Sequence, residues 1–305
     1  MPNQLRITDV SPRDGLQNEP RAIATTDKLR LVEAVAATGV DEIEVSSFVS
    51  KQWVPQLGDA AELFALLAPH AKSLPLLSAL VPNEKGMRFA LEVNSKAGRA
   101  LIGKVAVFAA ASESFSKKNI NASIAESLER FVPVIALAKQ HQLLVRGYVS
   151  CVIACPFEGP IAPEAVTSVS RRLLDMGVDE IDLGDTIGAA TPETTRALLD
   201  ATFATCPQLH GGLQASRLLT LHLHDTFGRA GECAALAMSL GVRSFDGAVG
   251  GLGGCPYAST PGHRAPGNVS LDTLRGAAAQ AGLTTNLHPA SLEAAAKLAI
   301  TLTRG

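Results

Sequence analysis

Eight short β-rich runs recur along this chain at roughly thirty- to forty-residue spacing, each separated from the next by a helix-like stretch. They lie near residues 5–10, 42–46, 74–80, 105–109, 144–150, 180–183, 218–224 and 244–248. Strands that alternate with helices pair in parallel, because each helix returns the chain to the end where the next strand begins. Eight such units predict an α/β fold of (β/α)8 type, a TIM barrel, with an open doubly wound sheet as the competing arrangement. Helix starts are marked as well. Ser123 and Glu126 have capping-box spacing ahead of a run ending near Gln140, and Thr191-Pro192 places a cap before a proline at the first helical position. Beyond Arg275 the chain passes through Leu287-His288-Pro289 into an Ala-rich helix over 291–303. One barrel domain over 1–305 is therefore expected, with 286–305 as an appended C-terminal helical segment.

An internal echo supports closure. Gly39-Val40-Asp41-Glu42-Ile43-Glu44 recurs as Gly177-Val178-Asp179-Glu180-Ile181-Asp182, and more loosely as Gly241-Val242-Arg243-Ser244-Phe245-Asp246. Each copy introduces a strand and carries a carboxylate one step past an apolar residue. Alternation sends that carboxylate to the face opposite its apolar neighbours. A simpler cause also accounts for the echo, since helix-to-strand turns favour a glycine at this point.

Hydrophobic residues make up 47% of the chain and charged residues 18%, enough apolar material for a large core. Lys+Arg of 27 against Asp+Glu of 29 leaves a formal charge of −2, with no basic arm or acidic tail. Nucleic acid and anionic membrane are excluded as expected partners, and no apolar span of membrane length occurs. The five cysteines are odd in number and form no Cys-x-x-Cys pair, which suits a reducing compartment. A strand-like stretch starting near Leu5 leaves no room for a leader, so the cytoplasm is the expected location. A homo-oligomer, dimer or higher, is expected.

The strongest chemical signal is Leu221-His222-Leu223-His224-Asp225. Residues i and i+2 of a strand share a face, so both imidazoles can meet one ion, and barrel active sites lie where strands end. The alternative is a pair of histidines filling a polar barrel layer. Arg13 and Asp14, in Asp9-Val10-Ser11-Pro12-Arg13-Asp14-Gly15, begin a loop at the same barrel face. Asp14 offers an anionic ligand and Arg13 a permanent cation; a surface ion pair is the plainer explanation. The glycine-dense stretch 247–254 suggests a loop that moves or lies close to ligand and delivers the thiol of Cys255, the plainer reading being a cysteine buried as a small hydrophobe. Asn268 follows with an amide oxygen at the opening of the next helix. Asp14, His222, His224 and Asn268 form a mixed N/O set compatible with Mg²⁺, Mn²⁺ or Zn²⁺. An open metal beside a fixed arginine suits binding a hydroxy-carbonyl group and steadying an enolate formed on C–C cleavage.

The chain resembles the 3-hydroxy-3-methylglutaryl-CoA lyase family of metal-dependent barrels. The likeness is carried by SPRDGLQNE (11–19), SSFVSKQWVPQLGD (46–59), ASESFSKKNIN (111–121), RGYVSCVIACPFEG (146–159), LGDTIG (183–188), HLHDTFG (222–228) and GLGGCPYA (251–258), in seven of the eight units. It implies that Asp14, His222, His224 and Asn268 bind Mg²⁺ or Mn²⁺. Arg13 would stabilise the enolate, and Cys255 would act from a closing loop as its proton donor. Asp185 and Glu44 match acidic positions of the family's site, with His222 or Asp185 as candidate base. The substrate would be an acyl-CoA, cleaved to acetyl-CoA and acetoacetate.

Two departures concern the acyl group. The segment between Cys255 and Asn268 is about four residues longer than the family's loop, and Asp272 stands where glutamate is expected. A longer 3-alkyl chain is therefore an alternative substrate. Rivals are an acetyl-CoA-dependent condensing synthase, which lacks this cysteine loop, a 2-oxo-acid aldolase, and a non-catalytic barrel, which would have lost a ligand. Lys117 and Lys118, after the fourth strand, could meet CoA phosphates or simply face solvent.

Overall fold

The computed structural model describes residues 3–254 and 267–304. Eight parallel strands close into a barrel: β1 (Arg6–Asp9), β2 (Glu42–Ser47), β3 (Leu76–Leu80), β4 (Lys104–Ala110), β5 (Leu144–Ser150), β6 (Glu180–Asp185), β7 (Leu218–Leu223) and β8 (Ser244–Gly247), with β8 returning to pair with β1. Ten α-helices accompany them among the described residues: α1 (Thr25–Ala36), α2 (Ala60–Leu67), α3 (Glu84–Ala97), α4 (Glu113–Ile120), α5 (Ile124–Gln140), α6 (Pro163–Asp175), α7 (Pro192–Thr205), α8 (Ala230–Ser239), α9 (Leu271–Gln280) and α10 (Pro289–Arg304). The barrel excludes the open-sheet alternative. Helix α10 packs against α1, so the tail is an added helix as expected. Both predicted caps form, with Ser123 and Glu126 exchanging bonds at α5 and Thr191 capping α7 with Thr194.

The Gly-Val-Asp echo has two physical causes. Gly39, Gly177 and Gly241 hold φ of 89°, 98° and 96°, a left-handed conformation that a Cβ would strain. In the first two copies the aspartate also starts the neighbouring strand: Asp41 accepts from the Ile7 amide at 2.9 Å and Asp179 from the Val145 amide at 2.8 Å.

Strand alternation divides the barrel. Ile43, Val45, Val105, Val107, Ile181, Leu183, Leu219, Leu221 and Phe245 are buried in the main hydrophobic core with residues of the helices. The opposite faces carry a polar filling: Thr8, Glu42, Glu44, Lys104, Arg146, Tyr148, Glu180, Asp182, Thr220, His222, Ser244 and Asp246, all buried. Lys104 bridges Glu42 and Glu180 at 2.5 Å each, and Arg146 meets Glu180 at 2.7 Å and Asp246 at 2.9 Å. Barrel lumens are commonly filled by branched aliphatic residues; here charge fills the volume, with Glu42, Glu44, Glu180 and Asp246 each against a cation, while burial and the neighbouring Asp246 push Asp182 up toward its neutral form.

Several boundaries differ from expectation. Strand β4 begins at Lys104, one residue earlier than its apolar run, because the buried ammonium has two carboxylates to meet. Ser11–Gly15 forms a π-helical turn rather than an open loop. After β5 an antiparallel pair, Ala154–Cys155 with Gly159–Pro160, adds a small hairpin that the periodicity did not reveal.

Candidate active site

The groups singled out just after β1 and at the end of β7 meet at the C-terminal end of the barrel. Nε2 of His222 lies 3.2 Å from Nε2 of His224, and His224 Nε2 lies 3.9 Å from Asp14 Oδ2. One donor atom from each of the three fits within a 4.8 Å span. Asn268 donates to Asp14 Oδ2 at 2.9 Å and to the Leu252 carbonyl at 3.0 Å. It does not open a helix: it forms a bridge to His224, three residues before α9 begins, which is how its amide reaches the cluster. Two nitrogens 3.2 Å apart suit a shared cation, since donors at about 2.1 Å and right angles sit about 3 Å apart. A carboxylate, two imidazoles and an amide also match the borderline-to-hard divalent ions. The residues fit a metal.

Arg13 stands beside this cluster, its side chain 8% exposed. Its Nε donates to Glu44 Oε2 at 2.5 Å and its Nη1 to Asp14 Oδ1 at 2.7 Å, so the guanidinium is held at two corners. Burial opposes its charge, but Glu44 and Asp14 outweigh that and the group stays cationic. Asp14 is likewise penalised by burial, yet Arg13 and His224 hold it well below the usual carboxylate range. Glu44 moves the other way: burial raises it despite Arg13. Tyr148 completes the floor, its ring 5.7 Å from the Arg13 guanidinium carbon and edge-on to His222.

A model of the HMGL-like family matches residues 4–299. This chain belongs to the HMGL-like family. The 3-hydroxy-3-isohexenylglutaryl-CoA/hydroxy-methylglutaryl-CoA lyase of Pseudomonas aeruginosa is 47% identical over 274 residues, covering 90% of this chain and 84% of that protein. The crystal structure of the HMG-CoA lyase from Brucella melitensis aligns with a TM-score of 0.87 at 40% identity, covering 99% of this chain and 100% of that one. An HMG-CoA lyase from Acinetobacter baumannii, in complex with coenzyme A and 3-methylmalate, aligns with a TM-score of 0.86 at 30% identity, covering 100% and 92%.

In this HMGL-like barrel Asp185 ends β6 and pairs in register with Leu223, between the two histidines. Its oxygens accept the Ala189 and Ala190 amides at 3.0 and 2.8 Å, and burial raises its pKa against those bonds. A twin lies one unit on. Asp185-Thr186-Ile187-Gly188 is repeated as Asp225-Thr226-Phe227-Gly228, with Asp225 accepting the Ala230 amide at 3.0 Å and both glycines at φ 70°. This Asp-Thr-x-Gly repeat is legible in the sequence and marks the strand ends opposite to those that carry the Gly-Val-Asp echo.

Cys255 and the lengthened segment after it lie outside the described residues. Asp272 is exposed in the first turn of α9 and pairs with Arg275 at 3.4 Å, as a solvated helix-surface residue does. Lys117 and Lys118 sit on α4, exposed, with the Lys118 ammonium 3.7 Å from the Phe157 ring centre. Sequence reasoning missed Arg146, Tyr148 and Asp246 as neighbours of the site. Asp246 was visible in the echo, but nothing local says which ring a lumen carboxylate meets. Buried against its charge, it is nonetheless held ionised by Arg146 and by the hydrogen bond from His222.

Proposed function

We propose that this chain is a 3-hydroxy-3-methylglutaryl-CoA lyase that cleaves its acyl-CoA substrate to acetyl-CoA and acetoacetate with a bound divalent metal. The observation that carries this is the meeting of Asp14, His222, His224 and Asn268 beside a clamped Arg13 at the strand ends. Asp14, His222, His224 and Asn268 would hold the ion, Mg²⁺ or Mn²⁺, which when bound supplies a Lewis acid to the substrate's hydroxyl and carbonyl oxygens.

The remaining work falls to the chain's own side chains. Asp185 is the base that takes the C3 hydroxyl proton, its raised pKa bringing it closer to neutrality than an ordinary aspartate. His222 is less suited, because Asp246 engages its Nδ1 and its Nε2 belongs to the ligand cluster. The electron pair of the O–H bond then forms the ketone while the C2–C3 bond breaks, leaving an enolate on the thioester. Arg13, fixed by Glu44 and Asp14, presents a cation to that developing charge without having to reorganise. Cys255 returns a proton to the enolate carbon. One barrel domain spans the chain, and buried thiols at Cys155, Cys206 and Cys233 that form no disulfide favour a reducing cytoplasm. No helix among the described residues is long and apolar enough to cross a membrane.

A second substrate is favoured by one observation. The 47%-identical relative is named for an isohexenylglutaryl-CoA as well as the methyl compound. A coupled cleavage assay with Mg²⁺ should compare 3-hydroxy-3-methylglutaryl-CoA with a longer 3-alkyl homologue. Failure to cleave either one would retire the lyase assignment.

A further inference from the structure

Beneath the ligand cluster His222 turns its other ring nitrogen to the barrel interior. Nδ1 lies 3.2 Å from Asp246 Oδ2 on the adjacent strand β8, where Asp246 and His222 are register partners. Asp246 is fully enclosed and has no freedom to turn. Arg146 Nη1 donates to both of its oxygens, at 2.9 and 3.0 Å, and the Tyr148 hydroxyl donates to Oδ2 at 3.1 Å. Arg146 and Tyr148 are donors, and Asp182, the carboxyl within reach of both Asp246 and His222, is pushed up by burial and by Asp246 so that it too can donate. Asp246 therefore presents only acceptor lone pairs to the imidazole. Nδ1 must then carry the hydrogen, which leaves Nε2 as the bare nitrogen facing His224. His224 has no matching device: its Nδ1 is buried without a partner among the described residues.

We propose that Asp246, clamped by Arg146 and Tyr148, is a positioning residue that fixes His222 as the Nδ1–H tautomer and so prepares Nε2 as a metal ligand. This rests on the assignment of His222 to the metal set and deepens it. The carboxylate acts through the ring and touches no substrate. Arg146 has a second tie, to Glu180, which makes the clamp part of the charged barrel filling and anchors the ligand's orientation to the fold itself. Carboxylate partners of metal-bound histidines raise affinity by about 10–100-fold through this effect.

Asp246→Ala tests it. The change removes the oxygen that His222 Nδ1 faces, so no acceptor selects the Nδ1–H tautomer, whereas an asparagine could keep its amide oxygen at the Oδ2 position shared by Tyr148 and Nδ1. Mn²⁺ titrations of the full chain followed by electron paramagnetic resonance should give a dissociation constant about 10–100-fold weaker than wild type. Unchanged Mn²⁺ affinity in a folded Asp246→Ala protein would overturn the proposal. Should that variant fail to fold, long-range ¹⁵N–¹H correlation spectra of the wild-type chain, with and without Mg²⁺, decide instead. A protonated Nδ1 on His222 in both samples supports the proposal, and a protonated Nε2 in the metal-free sample refutes it. Neither measurement uses substrate. A wild-type chain that binds no Mn²⁺ would overturn the metal assignment and this proposal together, whereas a chain that binds Mn²⁺ without cleaving acyl-CoA would sink only the reaction.

Discussion

Replacing Arg13 by lysine keeps the positive charge but removes the planar fork. The Arg13 side chain is nearly buried, and two of its nitrogens are already committed, Nε to Glu44 at 2.5 Å and Nη1 to Asp14 at 2.7 Å. A lysine ammonium is a compact point charge on a flexible stem, so it can satisfy one of these carboxylates but cannot brace both and still face the substrate. The loss is one preorganised donor to the developing oxyanion, about 2.7–4 kcal/mol, or about 10²- to 10³-fold in kcat. Because the donor acts on charge that appears only as the bond breaks, KM should stay within about threefold. Steady-state cleavage of 3-hydroxy-3-methylglutaryl-CoA measures both constants, and Mn²⁺ affinity serves as the control that Asp14 has not moved. A kcat within tenfold of wild type, or a loss confined to KM, would show that the fork does not act on the transition state.

Four other outcomes follow from the structure. Asp9 joins the Arg13 turn to the glycine loop, accepting from the Ser11 amide and hydroxyl and from the Val249 amide, and burial pushes its carboxyl from 3.8 up to about 7. A raised acid favours the fold fully below the unfolded value and loses that advantage as pH climbs through the folded one. Relative to Asp9→Asn, wild type should therefore lose stability, on the order of 4 kcal/mol at most, between pH 4 and 7; parallel urea-melt profiles would argue against it. Arg146→Met strips the counter-charge from Asp246 and half of that on Glu180, and should cost about 3–5 kcal/mol in denaturant melts. Gly188→Ala would place a Cβ 2.6 Å from Thr226 Oγ1 at a φ of +70°, whereas at Gly177 no atom lies within 4 Å. The first should destabilise by about 1–3 kcal/mol and weaken Mn²⁺ binding through the His224 loop, while Gly177→Ala should show only the backbone strain. Chelation should abolish cleavage and added Mg²⁺ or Mn²⁺ should restore it; full activity after chelation would exclude the ion from the reaction.

The strand positions, the caps at Ser123 and Thr191 and the histidine pair on β7 were legible because each is a local pattern. Strand alternation alone puts His222 and His224 on one face, and Ser123 with Glu126 closes its own box. The family motifs were equally local, running in order along the chain. The lumen was not legible. Lys104 and Arg146 stand at positions 104 and 146, yet they meet Glu42, Glu180 and Asp246 from three other strands.

By itself, then, the chain dictated which residues face inward and which strand ends carry ligands, since backbone alternation and capping depend on neighbours a few positions away. Only closure of the barrel decided which inward residues touch: that Asp246 reaches His222, that Glu44 braces Arg13, and that Asn268 crosses to Asp14. Those contacts depend on the lateral register between strands, set when the strands close round a lumen that can bury a charge only beside its opposite.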